Sequence, residues 1–129
     1  MLPFDEVPFN RALRLELLGS DDGGASVGLP IEAWFSQENG VVHGGIIASV
    51  ADTAAVYALV GRLEKSDQMT SVEFKINFLR PAAVDGGPLT ARATIVRRGR
   101  TIGVCDVEVS QKDQLVAKGI FTYVFISRG

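Results

Sequence analysis

Asp52 and the triplet His43-Gly44-Gly45 are the residues whose types and spacing could do chemistry. Asp52 is the one formal charge between His43 and Arg62, in a run from Gly44 to Gly61 that is apolar on nearly every side. A helix of that kind is normally buried all round. An ionised carboxylate in dry surroundings costs several kcal/mol or changes its protonation unless something pairs with it. Two readings follow: a carboxylate kept for chemistry, or a structural Asp hydrogen-bonded to a neighbouring loop.

His43-Gly44-Gly45 opens the same helix. Glycine lets a ligand approach the backbone. The first N–H groups of a helix lack internal partners, and the helix dipole adds partial positive charge there. A carbonyl oxygen gaining negative charge would be stabilised at that point. The triplet also fits a tight loop-to-helix turn in which His43 is only a local cap.

The elements that must position these groups are legible in the hydrophobic periods. Residues 4–10 suggest a short helical turn. Leu13, Leu15 and Leu17 alternate with Arg14 and Glu16 as in a strand; Ser20-Asp21-Asp22-Gly23-Gly24 is a turn signal, and residues 25–33 complete a hairpin. A loop over 36–42 leads into the helix, placed at 44–61. Beyond it, Val72, Phe74, Ile76 and Phe78 alternate with Glu73, Lys75 and Asn77, predicting a half-buried strand that Arg80-Pro81 ends. Strands around 89–95 and 105–110 follow, and a last one over 115–126 is apolar on both faces. The expected architecture is α+β: a single domain over 1–129 in which a strongly twisted antiparallel sheet of five to six strands, the last four in meander, wraps one long helix. Ile102, Val104, Ile120 and Val124 are left over and suggest a second contact surface and an oligomer.

Bulk properties narrow the field. A length of 129 residues suits one domain, and 47% hydrophobic residues supply an ample core. A net charge of −2 makes no case for nucleic acid as a partner. The single Cys105 rules out an internal disulfide and fits a reducing compartment, so a cytoplasmic location is expected. The N-terminus carries early acid and no apolar core of signal-peptide length. The 44–61 run approaches the length of a membrane span, but its alanines, its opening glycines, Asp52 and the surrounding strands argue against a membrane. One His and one Cys do not make a metal cluster. There is no Gly-x-Ser-x-Gly elbow, no Walker loop and no Gly-x-Gly-x-x-Gly.

Gln37 lies six residues before His43 and Asp52 nine after it, and a strand ending Ile76-Asn77-Phe78-Leu79-Arg80-Pro81-Ala82 follows the helix. With the run from Asn39 to Asp52, this combination resembles the hotdog-fold acyl-CoA thioesterases, in the branch similar to the phenylacetate-pathway (PaaI-like) thioesterase. The strand order extends the resemblance from about residue 12 to residue 126.

The resemblance implies a site, residue by residue. Asp52 would be general base or nucleophile at the thioester carbonyl. The Gly44 N–H would be the oxyanion donor. Gln37 would position the water or thioester, and His43 would orient the carbonyl or hold the loop. Some relatives carry a Thr one turn after the acid, where this chain has Val56; Ser71 or Thr70 is then the substitute hydroxyl, Ser71 otherwise being an ordinary strand-edge residue. Gly45 would lie beside the substrate, and Ile46, Val56 and Leu59 would line the acyl pocket. The resemblance also implies a homodimer, in a dimer of dimers, with Asp52 facing Gln37 and Gly44 of the other subunit. No cofactor is expected, because coenzyme A is part of the substrate.

The basic turn Arg97-Arg98-Gly99-Arg100-Thr101 could meet coenzyme A phosphates, which guanidinium groups bind bidentately, and Arg80 is a further candidate; each arginine also fits a solvated turn. A thioester needs one base or nucleophile and one oxyanion stabiliser, and Asp52 with Gly44 supplies both. Two other classes fit the residues less closely: an acyl-thioester hydratase or dehydratase, and a non-catalytic acyl-CoA-binding module, which would not need the acid.

Overall fold

The computed structural model describes residues 2–62 and 68–126; residue 1, residues 63–67 and residues 127–129 of the expected domain lie outside the described residues. Six strands make one antiparallel sheet: β1 (Glu16–Asp21), β2 (Gly24–Leu29), β3 (Gln68–Phe78), β4 (Leu89–Arg98), β5 (Ile102–Gln111) and β6 (Gln114–Ile126). A short helix α1 (Pro8–Ala12) precedes the sheet, and the long helix α2 (Gly44–Leu59) separates β2 from β3. Helix α2 lies on the inner faces of β2, β4 and β5. This is the hotdog architecture that the resemblance implied.

The helix fits there because its sheet-facing side is small or branched. Ile47, Val50, Ala51, Ala54, Ala55, Ala58 and Leu59 are buried, and so are the alanines facing it, Ala25 on β2 and Ala91 and Ala93 on β4. Small residues on both sides let helix and sheet approach closely, and Val27, Val107, Val109 and Phe121 fill the space between them. The helix's polar side chains satisfy themselves: Ser49 Oγ donates to Gly45 O and Thr53 Oγ1 donates to Ser49 O, each at 2.8 Å.

Three sequence expectations are corrected. Leu13 and Leu15 are core residues that precede β1, because Arg14 between them sits at φ 58° and breaks the extended backbone; the strand starts at Glu16. The last four strands are not a simple meander. The strand order is β1-β2-β4-β5-β6-β3, so β3 pairs with β6 at the far edge and the chain must return across the sheet to enter β4 beside β2. Lastly, the apolar face of β3 is only partly covered in the single chain: Ile76 packs on the core, but Phe74 and Phe78 are each about half exposed, as is Val72. A register shift between Ser71 and Glu73 takes Val72 out of the alternation.

The return segment after β3 is pinned by Gln111 at the end of β5, which is buried. Its amide accepts from Ala83 N–H (3.0 Å) and donates to the carbonyls of Ala83 (2.8 Å) and Gly87 (2.9 Å). The segment in turn holds the loop before α2, through Val42 N–H to Ala82 O and Val84 N–H to Gly40 O, both 2.8 Å. Gly40 adopts φ +71°, a conformation that suits glycine.

Candidate active site

Residues 36–42 and the return segment 79–82 flank the N-terminus of α2, enclosing a cleft of about 390 Å³. Gln37, Val41, Gly44, Phe78, Leu79 and Arg80 are among the residues that line it. Three residues singled out from the sequence, Gln37, Gly44 and Arg80, thus meet in one place. Gly44 is the first residue of α2, and its N–H has no acceptor among the described residues. A Cβ at Gly44 would come 3.2 Å from the ring tip of Phe78, so this backbone is close-packed on one side and open to the cleft on the other. Arg80 is exposed and donates to Gln114 Oε1 at 2.8 Å.

His43 is the N-cap of α2. Its Nδ1 accepts from Gly45 N–H at 2.8 Å. This is the local capping role that His-Gly-Gly also fitted. With Nδ1 engaged as the acceptor, Nε2 is the ring nitrogen left over. The cap also occupies the Gly45 N–H, so that donor is not available to a ligand. A second cleft of about 440 Å³ opens on the other side of the cap, bordered by Phe9, Trp34, His43, Gly45, Ile46 and Ser49.

Asp52 does not line the cleft at Gly44. Eight residues separate it from Gly44 along α2, a rise of about 12 Å, too far for one chain to place both at one carbonyl. It is half-buried rather than fully buried, and its partner is Tyr123 on β6. The Tyr123 hydroxyl donates to Asp52 Oδ1 and also lies 3.2 Å from the Asp52 carbonyl oxygen. Burial, and after it the adjacent Asp52 charge, pushes the Tyr123 phenol well above its ordinary range. Tyr123 was not found from the sequence. It is 71 positions from its partner and sits within the apolar alternation of β6.

The register of β3 against β6 separates the two candidate hydroxyls. Ser71 stands opposite Tyr123, and directly opposed residues share a face. Thr70 stands opposite Val124, on the outer face, away from α2. Of the two, only Ser71 lies on Asp52's side of the sheet. Val56 is half-buried and packs on the core. Leu59 is fully buried and borders neither cleft of the single chain; Ile46 borders the second one.

The arginines also divide. Arg98 is half-buried, with its guanidinium 3.6 Å from the centre of the Phe125 ring and one of its amino groups on the Gly99 carbonyl. It helps build the β4–β5 turn rather than standing free in it. Arg100 is exposed beside it. Phe125 is eight residues along β6 from Ala117, the partner of Phe78, so in one chain this turn lies roughly 26 Å along the sheet from the cleft.

Residues 39–118 match the model of the thioesterase superfamily. The chain belongs to this family. Its relatives include the medium/long-chain acyl-CoA thioesterase YigI of Salmonella typhimurium, 29% identical over 134 residues, with 92% of this chain and 85% of that protein covered. Another is the acyl-coenzyme A thioesterase PaaI of Escherichia coli, 33% identical over 106 residues, covering 81% and 71%. A thioesterase structure from Haemophilus influenzae superposes with a TM-score of 0.87 at 25% identity, covering 95% of this chain and 85% of that one.

Proposed function

We propose that the protein hydrolyses acyl-CoA thioesters in sites built between two copies of the chain. The observation that carries this is the split site: the unpartnered Gly44 N–H faces a cleft with Gln37 and Arg80, while the only acid on the helix stands about 12 Å away. A two-fold related copy can bring its own Asp52 to that cleft. The relatives named acyl-CoA thioesterases support the substrate class.

In this reading the thioester carbonyl oxygen points at Gly44 N–H, where the helix dipole and the free donor stabilise the oxyanion. Asp52 of the second copy drives attack at the carbonyl carbon, with Gln37 orienting the attacking group or the ester. The tetrahedral intermediate collapses by releasing coenzyme A thiolate. Water supplies the oxygen of the product acid, and the thiolate takes up a proton. Arg80 receives a coenzyme A phosphate, and the arginines of the second copy's β4–β5 turn, Arg100 above all, reach the others. Ile46 and the aromatic side chains around it give the acyl group apolar cover. Two copies meet along the open β3 edge, and pairs meet through the outer sheet face, where Ile102 stands opposite Val124 and Ile120 opposite Asp106. No helix among the described residues is long and apolar enough to cross a membrane. The free, buried Cys105 supports a cytoplasmic location.

The test is thiol release from a panel of aryl- and alkanoyl-CoA esters. Asp52→Asn should lower turnover by roughly 10²- to 10⁴-fold. Single turnover in ¹⁸O-water reports on the route: a first acid without any label, with the label found in Asp52, requires direct attack followed by opening of the mixed anhydride at the Asp52 carbonyl. No thiol release with acyl-CoA still bound would replace this reading with a binding module.

A further inference from the structure

We propose that Tyr123 is a positioning residue for the reaction: its hydroxyl, delivered from β6, holds the Asp52 carboxylate by Oδ1 and leaves Oδ2 to work at the carbonyl carbon. This rests on the thioesterase reading above. Tyr123 is 1% exposed, so its ring is fixed by the core and its hydroxyl has no water to turn to. A buried phenol needs an acceptor, and the Asp52 carbonyl oxygen at 3.2 Å would satisfy it alone. The closer acceptor is instead the carboxylate. A hydrogen bond to an ionised acceptor is roughly twice as strong as a neutral one. The single proton therefore goes chiefly to Oδ1.

The bond to Oδ1 fixes the Asp52 rotamer, which an acid on a half-open helix face would otherwise explore. The phenol is a dependable donor. Burial comes first in keeping it protonated, then the Asp52 charge; Cys105 on β5 is the remaining titratable group that acts on it, and its thiol is itself pushed up to about 12 by burial. Ser71, opposite Tyr123 on the same face, puts a second hydroxyl on this side of the sheet. The acid is thus oriented from the sheet of its own chain, while the oxyanion donor comes from the other copy.

The experiment compares wild type, Tyr123→Phe and a control core variant, Cys105→Ala. For Tyr123→Phe, kcat should fall roughly 10- to 100-fold, as for an acid displaced by a fraction of an ångström to an ångström, while KM stays within about twofold. Cys105→Ala should lower thermal stability without that kcat loss. Proton NMR of the wild type should show an exchange-protected hydroxyl resonance far downfield that is lost in Tyr123→Phe and moves upfield in Asp52→Asn. A Tyr123→Phe enzyme with wild-type kcat would overturn the inference. If that variant does not fold, a Tyr123 hydroxyl resonance indifferent to Asp52→Asn would overturn it instead. Failure of the thioesterase reading looks different, because the wild type itself would then release no thiol.

Discussion

Gly44 contributes a backbone N–H, so its side chain can be changed without deleting the donor. A methyl group there would press on Phe78 at 3.2 Å and push α2 or the ring away from the cleft. Gly44→Ala should lower kcat by about 10- to 100-fold, since a lost oxyanion donor costs 10²- to 10³-fold at most; steady-state kinetics with the best ester of the panel checks this. Arg80→Ala should raise KM for coenzyme A esters by about tenfold, the loss of one charge-assisted pair. KM for a truncated thioester without phosphates should not change. The two arms together assign the arginine to the phosphates rather than to the fold. The candidate groups on α2 were legible in sequence because each is unusual where it stands: an acid in an apolar run, and glycines at a helix start. Tyr123 was not, because a tyrosine within a strand alternation looks like any core aromatic until the acid on α2 is seen above it.

Periodicity reports which face a residue takes, not which strand lies alongside. That is why the alternation of β3, β4, β5 and β6 was readable while the crossing of β3 to the far edge was not. The crossing needs the return segment, and its anchor is one side chain from β5. Gln111→Ala would leave the N–H of Ala83 and the carbonyls of Ala83 and Gly87 without their present partners. Destabilisation of about 1–3 kcal/mol is expected, read by denaturant unfolding. The loop of Gln37 hangs on this segment through Val42 and Val84. KM should therefore rise in the same variant even though Gln111 lines no part of the cleft.

For the whole molecule, a site divided between copies makes activity a property of the pair. Sedimentation should show a dimer or tetramer, and a stable monomer at micromolar concentration would sink the shared-site reading. Mixing Asp52→Asn with Gly44→Ala after unfolding and refolding should recover more activity than either variant alone. Random pairing restores about a quarter of the sites. The alternation in residues 72–78 was read correctly as a strand with an apolar side. Its burial was not legible because the apolar side of β3, the edge strand of the sheet, is only partly covered in the single chain. Phe74 shows the point: it stacks on Phe121 at 4.8 Å and is still 47% exposed.

That open β3 edge also governs how the protein can be handled. Unpaired N–H and C=O groups beside exposed Phe74, Phe78 and Leu79 form a template that any stray strand can extend. If the partner is what caps it, dilution does more than switch the enzyme off. It releases chains that are prone to stick to one another, so loss on storage should be worst at low concentration and in variants such as Phe74→Ala that loosen the pair without charging the edge. Light scattering on a dilution series would show it. A Phe74→Lys chain, with a charge at the edge, should stay clear and inactive.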